Sequence, residues 1–301
     1  MKEASTGFDL EQYLCERVRL VDDALACYLP DENARPQILH RAMRYSTFSG
    51  GKRLRPILVI AGAEAVGGSA EMVLPTACAM ELIHTFSLIH DDLPAIDNDT
   101  LRRGRPTCHV QFGEAVAILA GDALFAEAFA LIARNRQTAP AERVVQVLSL
   151  VAEASGTRGM VGGQMVDIES EGKAVPAETL EHIHLHKTAA LLRASVVSGA
   201  ILAEAQEWQI TALSRYGEKI GLAFQIVDDL LNVTGDPRKT GKAVGTDAQR
   251  GKATYPALFG VEASRRQAQV LIQEAIEALS SLGERAMPLR ALAYFIVERE
   301  G

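Results

Sequence analysis

Apolar side chains recur at three- and four-residue steps along most of this chain, and that spacing constrains the fold more than any other feature. Residues 176–203 begin with Pro176 and two early glutamates, as a helix N-terminus does. Six apolar residues then keep the helical spacing: Leu180, Ile183, Leu191, Leu192, Val196 and Val197. Residues 214–233 and 262–281 have a similar pattern. Because alternation of period two is scarce, the pattern predicts helices and not sheets.

The prolines predict where these helices are interrupted. Eleven of them divide the chain into roughly ten helical segments. The 301 residues can bury a large core, and no Ser/Gly/Pro-rich linker separates one part from another. We therefore expect one domain covering residues 1–301, with an all-α fold that forms a multi-helix bundle.

Charge and hydropathy narrow the classes of partner. A net charge of −7 argues against a general nucleic-acid binder or a protein attached to anionic membranes. Residues 115–133 are apolar enough to resemble a membrane span, but they contain Asp122 and Glu127. Each acid would cost about 2.5–3.5 kcal/mol at a membrane centre. We expect a buried helix of a soluble bundle and no membrane insertion.

The cysteines and the N-terminus indicate the compartment. The four cysteines show no C-x-x-C spacing, so a zinc site or a redox pair is not predicted. Free thiols are typical of a reducing cytoplasm. The first twenty residues contain acids and no long apolar stretch, so neither a signal peptide nor a transit peptide is expected.

Two clusters of aspartate follow apolar helical segments. The first, SLIHDDLPAIDNDTLRRGRPT at 87–107, contains four aspartates and then Arg102, Arg103 and Arg105. In the second, FQIVDDLLNVTGD at 224–236, positions 228, 232 and 236 lie at steps of four and share a helical face. A solvated acidic helix end is the alternative for either cluster alone. Two such clusters favour a hard cation such as Mg²⁺, with the arginines binding a phosphate-rich ligand.

Further basic residues support an anionic ligand. The segment GGKRLRP at 50–56 carries Lys52, Arg53 and Arg55 beside two glycines, although it lacks the pattern of a P-loop. Lys187 interrupts an apolar helical segment, and burying an ammonium group without an anion is costly. We expect Lys187 to face a cavity. Lys242 and Lys252 flank a glycine-rich stretch of the kind that closes over ligands.

These motifs, in this order, resemble those of short-chain trans-isoprenyl diphosphate synthases. The resemblance runs from about residue 45 to the C-terminus and includes GGKRLRP, ELIHTFSLIHDDLPAIDNDTLRRGRPT, GGQMVDIESEGK, HKTAALL, AFQIVDDLLNVTGD and GKATYPAL. It implies an all-α isoprenoid-synthase bundle around a deep central cavity, and a homodimer. It also implies head-to-tail (1′-4) condensation of isopentenyl diphosphate with an allylic diphosphate, assisted by Mg²⁺, typically three ions.

The resemblance assigns roles to individual residues. The implied metal ligands are Asp91, Asp92, Asp97 and Asp228. The wider catalytic set adds Lys187, Thr188, Gln225 and Asp229. The residues implied to bind isopentenyl diphosphate are Lys52, Arg55, His84 and Arg103, with Arg299 nearby. Those implied to bind the allylic diphosphate are Arg102, Lys187, Lys242 and Lys252.

Two positions bear on how this chain differs within the family. Asn232 stands where the second motif usually ends in aspartate, so we expect weaker binding of one Mg²⁺. Phe86 and Ser87 lie five and four residues before Asp91, where the resemblance places the residues that limit product length. An aromatic residue there, together with the two-residue insertion between Asp92 and Asp97, resembles bacterial farnesyl diphosphate synthases and implies the C15 product. The motifs also resemble those of geranylgeranyl diphosphate synthases, so a C20 product is the alternative.

Two other functions fit parts of the pattern. A class I terpene cyclase has a metal triad at four-residue steps, which the second cluster mimics. It would need no second diphosphate site, and Lys52, Arg55 and Arg103 would then lack a role. A non-catalytic regulatory subunit of a heteromeric synthase is expected to have lost its aspartate motifs, whereas this chain keeps both.

Overall fold

The computed structural model describes residues 8–235 and 251–298. Its α-helices are α1 (Leu10–Tyr28), α2 (Gln37–Thr47), α3 (Leu54–Ala65), α4 (Ala70–Asp91), α5 (Cys108–Phe112), α6 (Glu114–Arg134), α7 (Ala141–Ser155), α8 (Met160–Ser170), α9 (Ala177–Ile183), α10 (Ala190–Leu202), α11 (Glu207–Thr234), α12 (Tyr255–Phe259), α13 (Val261–Ala278) and α14 (Met287–Glu298). Two 3₁₀ segments, Asn135–Gln137 and Ser280–Ala286, and a π-helical segment, His184–Ala189, complete the helical part. The predicted all-α fold is confirmed.

Helices α3, α4, α10 and α11 form the centre of the bundle. Helix α10 packs against both α3 and α11, and α4 packs against α3 and α6. The crossing of α3 and α10 depends on two glycines. A Cβ atom on Gly62 would lie 2.2 Å from the carbonyl oxygen of Val196, and one on Gly199 would lie 1.9 Å from that of Val59. Backbones this close leave room for no side chain, so the two helices contact each other directly.

Helix α4 continues through Pro75, although the prolines were predicted to interrupt the helices. The buried side chain of Asn135 explains the difference. Its Oδ1 accepts from the backbone N–H of Thr76 at 3.1 Å, and its Nδ2 donates to the carbonyl of Met72 at 2.6 Å. These are the two backbone groups that an unbroken helix pairs with each other. Asn135 therefore satisfies both groups beside the proline.

Helix α6 covers the apolar segment 115–133 and is confirmed as a helix, but only part of it is buried. Ile118 and Leu119 lie on its exposed side. Helix α4 and the stretch Glu114–Gln137 are both long and apolar enough to span a membrane, by length and composition alone. Most of α4 is inside the bundle, whereas most of the apolar stretch containing α6 is not. The expectation of a buried helix is met only on one side of α6.

A small β-hairpin follows the first aspartate cluster and was not predicted. Its strands, β1 (Leu101–Arg102) and β2 (Arg105–Pro106), are antiparallel, with Arg102 opposite Arg105. Arg103 and Gly104 between them have φ values of 53° and 75°. Two consecutive positive φ angles are typical of the tight turns that join such strands. The hairpin brings Arg102 and Arg103 back beside the end of α4, which carries Asp91.

Candidate active site

A cavity of about 1520 Å³ lies inside the bundle, and both aspartate clusters reach it. Nearly all the site residues expected from the sequence line it: Lys52, Arg55, His84, Phe86, Ser87, Asp91, Asp97, Arg102, Arg103, Lys187, Thr188, Gln225, Asp228, Asp229, Asn232 and Lys252. Asp92 does not. Asp236, Lys242 and Arg299 lie outside the described residues. The cavity therefore joins groups that lie up to 200 residues apart (252 minus 52) in the sequence.

Three carboxylates on the cavity wall form what we call the acidic rim: Asp91, Asp97 and Asp228. Asp91 is the last residue of α4, and its carbonyl accepts from the backbone N–H of Asp97 at 2.8 Å, which fixes the turn between them. Burial raises the pKa of Asp91 to about 6, the charge of Asp97 adds to the rise, and Lys187 opposes it. The positive groups nearby therefore only partly compensate this buried carboxylate.

Within the described residues, no three acidic, histidine or cysteine side chains converge tightly enough to hold a metal ion alone. That arrangement still suits Mg²⁺, which takes one or two protein carboxylates and completes its octahedron with water and phosphate oxygens. The acidic rim supplies hard oxygen ligands from two sides of the cavity. It fits a metal that bridges protein and substrate better than a closed structural site.

Asp92 was expected to bind metal, but the structure gives it a different partner. Its carboxylate accepts from Nε of Arg102 at 2.9 Å and from Nη2 at 2.5 Å. The pair is largely buried, and Asp92 faces away from the cavity towards Tyr45 and Thr107. Adjacent residues at the end of a helix point in different directions, which separates Asp92 from Asp91. Asp92 orients Arg102, which does reach the cavity.

Two lysines of the cavity are held by carboxylates. Lys187 donates to Asp167 at 2.6 Å, and Lys252 lies 3.1 Å from Asp97 and 3.8 Å from Asp167. Asp167 was missed by the sequence analysis, although it belongs to the quoted segment GGQMVDIESEGK. Its position in helix α8 gives no sign of this role. Only the fold shows that it joins the two cations, which were predicted to bind a diphosphate.

A chain of hydrogen bonds orients Thr188 and Gln225 on the cavity wall. The hydroxyl of Thr188 donates to Oε1 of Gln225 at 2.8 Å, and Nε2 of Gln225 donates to Asp229 at 2.9 Å. Asp229 also accepts from the backbone N–H of Tyr255 at 2.9 Å, and its Oδ2 lies 3.4 Å from Nε2 of His184. Asp229 thus forms hydrogen bonds with Gln225 and Tyr255. Its neighbour Asp228 is part of the acidic rim. The bonds fix which atom of the Gln225 amide is its oxygen.

The π-helical segment explains how Lys187 and Thr188 come so close to other helices. A Cβ atom on Gly163 of α8 would lie 2.3 Å from the backbone nitrogen of Lys187. A side chain there would push the segment away from α8 and lengthen the contact between Lys187 and Asp167. The wider π turn and Gly163 together allow α8 and the π-helical segment to approach this closely.

A cationic cluster occupies another part of the cavity wall, and we call it the basic corner: Lys52, Arg55, His84 and Arg103. The guanidinium of Arg103 donates to the carbonyl of Gly50 and lies against Gly51. A Cβ atom on Gly51 would lie 2.7 Å from that guanidinium, and its φ of 132° also favours glycine. The glycine pair lets the hairpin that carries Arg103 approach the loop that carries Lys52.

The charge state of the basic corner follows from its crowding. Burial lowers the pKa of Arg55 to about 10, with a further decrease from Arg103, so it remains a cation at neutral pH. Burial and the nearby guanidiniums of Arg55 and Arg103 lower the pKa of His84 well below its ordinary value. His84 is therefore neutral and offers one N–H donor. The positive charges of Lys52, Arg55 and Arg103 repel one another, and a bound polyanion would reduce that repulsion.

Comparison with known proteins identifies the family. A model of the polyprenyl synthetase family matches residues 36–285, which is most of the chain and includes both aspartate clusters. The chain belongs to the polyprenyl synthetase family. It is a prenyltransferase that makes trans-prenyl diphosphates.

Relatives of this synthase share its full length. The geranylgeranyl diphosphate synthase of Cyanophora paradoxa is 51% identical over 300 residues, which cover 99% of each chain. A dimethylallyltranstransferase of Fischerella ambigua is 48% identical over 97% of this chain and 84% of its own. Solved structures are similar as well. The geranylgeranyl pyrophosphate synthetase of Pyrococcus horikoshii has a TM-score of 0.88 at 36% identity, covering 97% and 98% of the two chains.

An FPP/GFPP synthase from Zymomonas mobilis has a TM-score of 0.86 at 39% identity, and the match covers 96% of this chain and 98% of that one. That protein is named for two products, FPP and GFPP. Similarity of fold within the polyprenyl synthetases therefore does not fix the product length.

Phe86 contributes to an aromatic row beside the cavity of the synthase. Its ring centroid lies 4.7 Å from that of Phe125 and 4.8 Å from that of His90, and Phe125 lies 5.1 Å from Phe129. Phe125 and Phe129 belong to α6, so the row links α4 to α6. The hydroxyl of Ser87 donates to the carbonyl of His84 at 2.9 Å, one turn back in α4. Of the two residues predicted to limit product length, Phe86 has the larger side chain at the cavity wall.

Proposed function

We propose that this synthase condenses isopentenyl diphosphate head to tail with an allylic diphosphate, and that its main product is geranylgeranyl diphosphate. The presence of two regions in one cavity that each suit a diphosphate supports the condensation. The basic corner suits one diphosphate, and the acidic rim with its lysines suits a second diphosphate together with metal. A terpene cyclase has a single diphosphate substrate and would leave Lys52, Arg55 and Arg103 without a ligand. The full-length relative from Cyanophora paradoxa supports the C20 product.

Asp91, Asp97 and Asp228 would hold Mg²⁺, typically three ions, with Asn232 as a neutral oxygen ligand reached through water. Bound Mg²⁺ would neutralise the charge of the allylic diphosphate and so favour its departure. Lys187 and Lys252 are held near the rim by Asp167 and Asp97. When a diphosphate arrives, their ammonium groups can exchange a carboxylate oxygen for a phosphate oxygen.

The remaining residues act on the allylic fragment. Departure of the diphosphate leaves a delocalised cation, which preorganised oxygen dipoles stabilise. Thr188 and Gln225 present such oxygens on the cavity wall, and Asp229 fixes the amide from behind. The double bond of isopentenyl diphosphate then attacks the cation, and the departed diphosphate accepts the proton that is lost. Neutral His84 and the cations of the basic corner keep the isopentenyl group in place.

A second candidate product is farnesyl diphosphate, and a specific contact favours it. Phe86 lines the cavity, and its ring is supported from behind by Phe125. A supported ring resists displacement by a growing chain more than an unsupported one does. The C15 product requires that Phe86 keep this position. The C20 product requires that the chain pass beside the ring.

We propose that the synthase works as a homodimer and not in a membrane. Helices α5 and α6 contact each other and expose Val110, Ile118 and Leu119. Exposed apolar residues on adjacent helices mark association sites. Leu119→Glu should shift the dimer towards monomer in sedimentation velocity, whereas Val270→Glu on α13 should not. A Leu119→Glu protein that remains a dimer would contradict this interface.

We also propose that residues 1–301 form a single domain and that the synthase is located in the cytoplasm. Cys15, Cys27, Cys78 and Cys108 are free thiols, which supports a reducing compartment. The test of function is direct. The pure protein is incubated with Mg²⁺, isopentenyl diphosphate and dimethylallyl, geranyl or farnesyl diphosphate in turn, and the dephosphorylated products are separated by chain length. Geranylgeraniol from all three supports the proposal, and farnesol as the end product supports the second candidate.

A further inference from the structure

Arg53 is a buried cation to which the mechanism above gives no role. It lies between Lys52 and Arg55 in the sequence, immediately before α3, and only 3% of its side chain is exposed. Its backbone has a φ of 49°, in the left-handed region that residues other than glycine seldom adopt. A residue that is both buried and strained persists only if its surroundings hold it.

Three acceptors from three helices hold the Arg53 guanidinium. Nη1 donates to Glu81 at 2.7 Å, Nε donates to Asp22 at 2.8 Å, and Nη2 donates to the carbonyl of Thr47 at 2.9 Å. Glu81 belongs to α4, Asp22 to α1, and Thr47 ends α2. Helices α1, α2 and α4 therefore all bind the residue at which α3 begins.

Of the two carboxylates that bind Arg53, Glu81 is the one whose charge acts on the basic corner. Its side chain is 3% exposed, and its charge acts on Arg53, Arg55 and Arg103. Its second oxygen, Oε2, is buried and has no hydrogen-bond partner within the described residues. A carboxylate beside a diphosphate site repels the ligand, so by charge alone Glu81 weakens binding. Its presence is explained if it supports the geometry of the corner.

We propose that Glu81, together with Asp22, is a positioning residue for isopentenyl diphosphate. By binding Arg53 it fixes the left-handed turn at the start of α3, and that turn directs Lys52 and Arg55 into the cavity. This inference rests on the proposed function, because isopentenyl diphosphate is the ligand assigned to the basic corner.

The charge explanation and the positioning explanation predict opposite results for Glu81→Gln. If Glu81 acted only through its charge, removing it would strengthen anion binding, and KM for isopentenyl diphosphate would fall. If it positions Arg53, the neutral amide binds the guanidinium less well, and KM should rise about tenfold, the scale of one weakened charged hydrogen bond. The KM for the allylic diphosphate should stay within about twofold, because the acidic rim is untouched.

Asp22→Asn provides a milder variant with a matched control. Asp22 binds Arg53, whereas its neighbour Asp23 is exposed and lies 3.9 Å from Arg19. Asp22→Asn and Asp23→Asn change the net charge equally and at adjacent positions of α1. Positioning predicts a higher KM for isopentenyl diphosphate in Asp22→Asn alone. Steady-state rates at saturating allylic diphosphate measure this, and thermal unfolding checks that both variants are folded.

The outcomes separate the inference from the function on which it rests. A wild-type protein that condenses no isopentenyl diphosphate overturns the proposed function. A wild-type protein that is active, with Glu81→Gln and Asp22→Asn both leaving KM for isopentenyl diphosphate unchanged or lowering it, overturns only the positioning role. An equal rise of this KM in Asp22→Asn and Asp23→Asn also overturns it, because Asp23 does not bind Arg53 and the effect would then not come through Arg53.

Discussion

Replacing Asp92 by asparagine should lower the free energy of unfolding. It should change the Mg²⁺ concentration required for activity only a little. The Asp92 carboxylate accepts from two nitrogens of Arg102 at 2.5–2.9 Å, and its side chain is 4% exposed. Removing one partner of a buried ion pair costs about 3–5 kcal/mol. Two features reduce that figure here. Asparagine keeps one acceptor oxygen, and Arg102 retains Asp99 at 3.6 Å.

Desolvation reduces the expected cost further. Burial raises the pKa of Asp92 even though Arg102 lowers it, so the attraction between the two side chains is partly offset. We therefore expect the free energy of unfolding to fall by about 2 kcal/mol, near the value of a hydrogen bond to a charged group. Urea unfolding at a fixed protein concentration measures this loss.

Asp97→Asn is the matched comparison, because Asp97 belongs to the acidic rim and Asp92 does not. The Mg²⁺ concentration that gives half the maximal rate should rise in Asp97→Asn and change little in Asp92→Asn. The KM for the allylic diphosphate should rise in Asp92→Asn, since Arg102 loses its orientation. If Asp92→Asn raises the Mg²⁺ requirement as much as Asp97→Asn and leaves the unfolding midpoint unchanged, Asp92 is a metal ligand and our reasoning is wrong.

Three further predictions concern the cavity. Phe86→Ala should give longer products by chromatography, because it removes the ring supported by Phe125; an unchanged product length would show that Phe86 does not limit growth. Asn232→Asp should lower the Mg²⁺ concentration needed for half-maximal rate, because it adds a carboxylate to the acidic rim, and an unchanged requirement would contradict the weak-site expectation. The depressed pKa of His84 means that the unfolded chain binds a proton at pH values where the folded chain does not. Stability should therefore fall by up to about 1.4 kcal/mol per pH unit below pH 6.5, and His84→Gln should lose that part of the dependence; equal pH profiles for the two proteins would refute it.

The helical periodicity was enough to predict the all-α fold, since amphipathic spacing is a local property of the sequence. Where helices would touch was not predictable in the same way. Gly62 and Gly199 look like ordinary helix-weakening residues, and only the packed structure shows that they let α3 and α10 meet. Pro75 was expected to interrupt a helix. Asn135, sixty residues further along (135 minus 75), forms hydrogen bonds with the backbone N–H of Thr76 and the carbonyl of Met72 and lets α4 continue.

The candidate site was predictable where residue type determines chemistry, as with the aspartates and the basic residues near them. The direction in which each side chain points was not predictable. Two adjacent aspartates look alike in the sequence and have different partners in the structure. Asp91 lines the cavity while Asp92 binds Arg102, and both Asp228 and Asp229 line it although Asp229 also supports Gln225. Asp167 was missed because nothing in its sequence neighbourhood distinguishes it from an ordinary helical acid such as Glu169.

We propose that one cavity joins two diphosphate substrates and repeats the condensation until a C20 chain is reached. The most direct test counts the isopentenyl units added to each allylic molecule. Dimethylallyl diphosphate is made limiting, labelled isopentenyl diphosphate is supplied in excess with Mg²⁺, and the label incorporated per chain is measured. Three units per dimethylallyl group are predicted. Two units would show farnesyl diphosphate as the end product, and no incorporation would contradict the account itself.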